Sequence, residues 1–191
     1  MNAQKPKDSL EPVTLAAAGD PDARRALVER LRPRMHGIAL AILGNQPDAE
    51  DASQAIMIEI LSSAGSYRGD NLLGWADRIA ARTAMRHARK RRVRATQVEP
   101  DFDVDELPRA PNDSIADHET PRPLVHYLAA LPEARRVVLV LRHVMDYSID
   151  EIAELTSVSR NTVKDRLLHA REQMRRLIRR DLAIAEARRR P

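Results

Sequence analysis

Ser148-Ile149-Asp150-Glu151-Ile152-Ala153-Glu154-Leu155-Thr156-Ser157-Val158-Ser159-Arg160-Asn161-Thr162-Val163-Lys164 is the stretch that decides the fold. A serine followed three residues later by a glutamate is a capping box: the hydroxyl accepts from the Glu151 amide while the carboxylate reaches back. It predicts a short helix from Ile149 to Leu155. Thr156-Ser157-Val158 then makes a turn, Ser159 caps again, and a long helix follows from Arg160 to about Arg180. Two such helices joined by a three-residue turn form a helix-turn-helix. Ala153 is small where the helices cross, and Ile152, Val158, Val163 and Leu167 are apolar where the pair must pack. The face left free near the start of the second helix carries Arg160, Asn161, Lys164 and Asp165. Their donors and acceptors suit base edges in a major groove, with Thr162 close to a phosphate. Ser159 and Arg171 complete the set assigned to DNA. The competing reading is a helical hairpin without a ligand.

Upstream of this motif, Leu124, Val125, Leu128 and Leu131 predict a short helix. Pro132 opens another, carrying Val137, Val138, Leu141 and Val144. Before these, residues 95–123 hold five of the chain's twelve prolines among Asp and Glu. Such a segment cannot bury enough apolar surface to offset its ordering entropy, so it reads as a flexible acidic linker.

The linker separates a first helical domain, residues 12–94, from a helix-turn-helix domain, residues 124–181. A disordered N-terminus (1–11) and a basic tail (182–191) flank them. In the first domain Leu27 and Leu31 mark a helix that Pro33 should end or kink. Met35, Ile38, Ala39, Ile42 and Leu43 form a second stripe, stopped by Gly44 and Asn45. Asp48 is read as the N-cap of the next helix, with Glu50 and Asp51 in its first turn and Ala52, Ile56, Ile60 and Leu61 facing inward. After a polar loop from Gly65 to Asn71, a helix from Leu72 to about Arg92 turns Leu72, Trp75, Ala76, Ile79, Ala80 and Thr83 to one side. Arg78, Arg82, Arg86 and Arg89 lie opposite, about 6 Å apart along the axis, a spacing that follows phosphates.

Composition sets the limits. Among 191 residues only 3% are aromatic, so the core must be aliphatic, and the fold class is all-α: two small helical bundles joined by the Pro-rich linker. Net charge is +4 but strongly segregated. Residues 78–94 hold eight bases and no acid, residues 99–119 eight acids and one base, and residues 160–191 eleven bases against four acids. Two basic blocks point to two surfaces that meet a polyanion, against the blander reading of solvated faces. The absence of cysteine excludes disulfides and thiolate chemistry. No apolar run reaches the ~20 residues of a membrane span, and the polar Met1 to Glu11 lacks a signal peptide's apolar stretch. The expected setting is the cytoplasm. The six histidines lack metal spacing, the acids at 101, 103, 105 and 106 read as solvated, and there is no phosphate loop or nucleophile elbow. No cofactor, metal or catalytic role is expected, so the chain is not read as an enzyme.

Asp48-Ala49-Glu50-Asp51 with Gln54, Tyr67-Arg68-Gly69-Asp70, Trp75, and Arg78-Ile79-Ala80 before a basic run resemble region 2 of extracytoplasmic-function (ECF) sigma factors. Leu131-Pro132, Glu151-Ile152-Ala153-Glu154, Thr162-Val163-Lys164 and Arg166-Leu167 resemble region 4. The resemblance implies a sigma factor that binds core RNA polymerase and directs it to promoter DNA. Asp48, Asp51 and Gln54 would then grip the polymerase clamp. Tyr67, Arg68, Asp70 and Asn71 in the loop, with Arg78, Arg82 and Arg86, would engage the melted minus-ten strand, and the helix-turn-helix would read the minus-thirty-five element. An anti-sigma factor is a further candidate partner. The chain departs from the family pattern at Ala55 and Met57, where an acid and an aromatic are usual, at Ser157, where glycine is usual, and at His169, where arginine is frequent. The alternative is a two-domain helix-turn-helix regulator that acts without the polymerase.

Overall fold

A computed structural model describes residues 10–69, 71–95 and 120–189, and among these every regular element is helical. Most of the segment read as a linker, 96–119, lies outside the described residues, as do residues 1–9 and Asp70. The chain divides into two compact units, residues 1–87 and 88–191.

The first unit opens with a helix absent from the sequence reading, α1 (Leu10–Ala18). It buries Val13 and Ala16, too few positions to give a periodic signal. The Arg24 side chain holds its end by donating to the Ala16 carbonyl at 2.9 Å. Asp20 caps α2 (Pro21–Leu43), accepting from the Ala23 amide at 2.7 Å with proline just inside the helix.

Pro33 does not end this helix. The two predicted stripes belong to one 23-residue helix that buries Leu27, Leu31, Met35, Ile38 and Ile42. Pro33 removes one N–H, but it and Glu29 sit on the exposed side, where water can serve the freed carbonyl. Burial of both flanking stripes outweighs the one missing bond. Gly44 stops the helix in a left-handed conformation, φ 75°, donating to the Leu40 carbonyl at 2.8 Å.

The next helix, α3 (Gln46–Ser63), starts before Asp48. Asn45 is its N-cap, accepting from the Asp48 amide at 3.0 Å, and the Asp48 carboxylate accepts from the Asn45 side chain at 2.7 Å. Asp48 is therefore the third helical residue and closes the cap from within, a role that extended Asn45 leaves open to it. A single 3-10 turn (Ala64–Ser66) leads into the loop before α4 (Leu72–Ala95). Leu72, Ala76, Ala80 and Thr83 of α4 are buried as the sequence predicts, together with Ala81, Ala84 and Asp77.

In the second unit α5 (Leu124–Ala129) and α6 (Glu133–His143) pack beside α7 (Ile149–Thr156) and α8 (Arg160–Arg189). Val137, Val138, Leu141, Ile152, Val163 and Leu167 form the core, whereas Leu124 and Val144 are exposed and Tyr127 is buried. The last helix does not stop near Arg180, and the segment read as a basic tail is helical to Arg189. Arg122 holds the helix just past Arg180. Its Nε and Nη2 meet the two carboxylate oxygens of buried Asp181 at 2.9 and 3.0 Å, and Ile178 is buried one turn earlier. The helix must remain intact that far to keep this carboxylate paired.

Restoring the missing bond of α2 gives a test. Pro33→Ala should raise stability by about 2 kcal/mol in urea unfolding, the interior-proline cost less the entropy proline removes from the unfolded chain. A variant less stable than the parent would mean that the helix needs the break.

Candidate nucleic-acid interface

The helix-turn-helix forms as its sequence dictates. Ser148 Oγ accepts from the Glu151 amide at 3.2 Å, and the Glu151 carboxylate accepts from the Ser148 amide at 2.8 Å. The first helix ends on Ser157, left-handed at φ 56° and ψ 39°, and the Val158 amide returns to the Ala153 carbonyl at 3.2 Å. Ser159 then caps α8, accepting from the Thr162 amide at 3.1 Å.

This brings Arg160, Asn161, Lys164 and Asp165 together on the exposed first turns of α8. Thr162 is half-buried, with its hydroxyl 2.9 Å from that of Ser159. Arg160 is anchored: its Nε donates to Asp150 on α7. That hydrogen bond is the main reason the Asp150 carboxyl lies below the usual aspartate range, with Lys164 contributing. Arg171 stands apart from the group, three turns along, donating to His143 Nε2 at 3.1–3.3 Å. Burial, then the Arg171 and Arg142 cations, push the His143 imidazole below its ordinary value, consistent with a neutral ring that accepts.

On α4, Arg78, Arg82, Arg86 and Arg89 project from the exposed side. Their surroundings differ. Arg86 pairs with Glu59 of α3 at 2.5 Å, and Thr83 donates to the same carboxylate at 2.6 Å. The Thr83 hydrogen bond, with Arg86 and the nearby charge of Arg82, outweighs partial burial and holds Glu59 below the usual carboxylate range. Tyr67 is only 7% exposed, its ring tilted against Trp75 at 5.4 Å, so it braces the loop. Arg68 is exposed and donates to the Gly65 carbonyl at 2.9 Å. Asn71 caps α4, accepting from the Gly74 amide at 2.8 Å.

Asp51 and Gln54 lie exposed on one side of α3. Beside Gln54 a cleft of about 660 Å³ opens between α2 and α3, lined by Arg32, His36, Glu50 and Ser53. Among the described residues no cluster of metal-ligating side chains occurs, and no helix is long and apolar enough to cross a membrane.

Family comparisons match these two units. The family described as Sigma-70 region 2 matches residues 27–94, and Sigma-70, region 4 matches residues 122–174. The ECF RNA polymerase sigma factor SigM of Mycobacterium tuberculosis is 31% identical over 173 residues, covering 90% of this chain and 85% of SigM. The chain belongs to the ECF sigma factors. SigE of Mycolicibacterium smegmatis is 30% identical over 151 residues, 78% of this chain, which spans 59% of SigE's length. In fold, the chain resembles the sigma factor RpoE of Bartonella quintana, solved in complex with the anti-sigma factor NepR. That likeness has a TM-score of 0.53 at 18% identity, over 81% of this chain and 96% of RpoE.

Several features of this sigma factor were not read from its sequence. Ile58, one turn beyond Gln54, is 69% exposed and gives the Asp51–Gln54 side an apolar centre. Its position in the row 51, 54, 58 is the signal that could have revealed it. Asp150 fits the helix-dipole pattern of a first turn, which conceals its hold on Arg160. Met57, which the sequence does single out as replacing an aromatic, is buried.

Two measurements follow from this geometry. Ser157→Gly should stabilise the protein by about 1 kcal/mol, because glycine occupies the left-handed region without the penalty serine incurs; thermal unfolding will read it. Glu59 contributes stability above the ordinary glutamate pKa, lost as pH falls below ~4.5 through its depressed folded value. Glu59→Gln should thus narrow its gap to the parent between about pH 5 and 3, and a pH-independent gap would show that the carboxylate titrates without linkage to folding.

Proposed function

We propose that this sigma factor binds core RNA polymerase and carries it to promoters, acting by recognition and strand separation without catalysing a reaction itself. The observation that carries the reading is the presence of two separate cationic surfaces on two sigma-type units: Arg78 and Arg82 on α4, and the Arg160–Lys164 turn of the helix-turn-helix. The second can enter a major groove and select the minus-thirty-five element. The first suits the backbone of the separated minus-ten strand, with Arg68 beside it and the capped, Tyr67-braced loop holding its edge. Polymerase is held through the exposed Asp51–Gln54 side of α3, while Asp48 acts from the cap. An anti-sigma factor, as found on RpoE, is a further partner of this chain, and its work belongs in the cytoplasm. A helix-turn-helix regulator without polymerase would leave the region 2 unit without a role.

The purified chain should co-elute with core RNA polymerase, and Asp51→Ala with Gln54→Ala should weaken that by ~1–3 kcal/mol if these are interface hot spots. Arg82→Ala should leave core binding intact, weaken holoenzyme binding to promoter DNA of any sequence, and flatten the salt dependence by about one unit of slope. A wild-type chain that fails to bind core polymerase overturns the reading.

A further inference from the structure

We propose that Asp150 is a positioning residue for base reading, holding Arg160 by its Nε so that the two Nη groups face a guanine edge as a preset fork. The inference rests on the reading above that α8 enters the major groove. Asp150 is the second residue of α7 and Arg160 the first of α8, so the contact spans the turn at Ser157. Both side chains are exposed, at 59% and 67%, and the bond uses Nε alone. A guanidinium carries further N–H donors on Nη1 and Nη2, and these are the ones that meet O6 and N7 of guanine as a pair.

Chemistry gives the contact two consequences. An unheld arginine at an exposed helix start samples many rotamers and swings readily to a phosphate, where it adds affinity without sequence preference. Fixing Nε removes those alternatives before DNA arrives, which lowers the ordering cost of the base contact. The carboxylate also places a negative charge beside Arg160 and Lys164, opposing any phosphate that approaches the same turn. Asp150 therefore lowers general affinity for DNA while sharpening choice at one base pair. A purely structural Asp150, serving only the dipole of α7, would do neither; its loss would lower folding stability and weaken all duplexes alike.

The test uses holoenzyme assembled from the full chain and core RNA polymerase, with a pool of duplexes randomised across the upstream element. After selection, binding is measured on the winning duplex, its single-base variants and a scrambled duplex. Arg160→Ala identifies the base pair that Arg160 reads. At that pair Asp150→Ala should reduce discrimination about three- to tenfold, part of what a bidentate contact supplies, while binding to the scrambled duplex is unchanged or tighter. Asp150→Glu should restore discrimination, and Asp150→Ala should change nothing further in the Arg160→Ala background. Retained discrimination in Asp150→Ala, where Arg160→Ala loses it, would overturn this assignment alone, as would an equal loss on every duplex with a lowered melting temperature. Selection of no upstream element by the wild type, or full discrimination by Arg160→Ala, would overturn the base-reading role itself and Asp150's part with it.

Discussion

Arg34 reaches from α2 to the buried carboxylate of Asp77 on α4, its Nε and Nη2 donating to the two oxygens at 2.8 and 2.6 Å. The placement of α4 in the first unit turns on this fork. The inner face of α4 is largely alanine, at 76, 80, 81 and 84. Alanine permits close approach but distinguishes poorly between one register and the next. A slide of one turn would exchange alanine for alanine, yet it would strand Asp77 as an unpaired buried charge, among the costliest defects a core can hold. The Thr83–Glu59–Arg86 cluster fixes the same register from the side of α3. A chain with few aromatic side chains thus settles its helix order with ions, and the arginine side of α4 points outward as a consequence.

What the sequence made legible follows the range over which each signal acts. The helix-turn-helix was readable because its determinants are local: the Ser148 capping box, the Ser159 cap and the apolar positions all act within about four residues. The exposed start of α8 followed directly. Errors arose where tertiary burial overrode a local rule. Pro33 should break a helix in isolation, but Leu27, Leu31, Met35 and Ile38 are buried together and carry the helix through it. Asp48 has the chemistry of a cap, but Asn45 adopts the extended conformation first and leaves Asp48 the third position. Tyr67 lies in a polar loop, and its contact with Trp75, eight residues on, has no local signal. Asp77 and Asp181 could not be found at all, since their partners lie 43 and 59 residues away.

Four of the six arginines assigned to nucleic acid share an unexpected condition. Arg86 is engaged by Glu59, Arg160 by Asp150, Arg171 by His143 and Arg68 by loop carbonyls. In the free protein much of the cationic surface is thus already committed to internal acceptors. Phosphate contacts that replace these ties are exchanges, not additions, and their net gain is smaller than the count of arginines suggests; Arg160, tied through Nε alone, keeps its Nη donors for a new contact. Arg78 and Arg82, which project without such a tie among the bonds described above, stand to contribute most to sequence-independent attraction.

The length of α8 has a mechanical side. A straight helix of 30 residues extends about 45 Å, and Asp181 lies roughly 32 Å along it from Arg160. A rod of that length behaves as a lever. Pivoting by about 5° near the Arg122 clamp would carry the reading turn through nearly 3 Å, on the order of a hydrogen-bond length. The ion pair at Asp181 and the buried side chains from Val163 to Ile178 therefore fix together the axis on which the reading turn sits. Alignment of the reading turn thus draws on contacts along the whole helix, its distant part included.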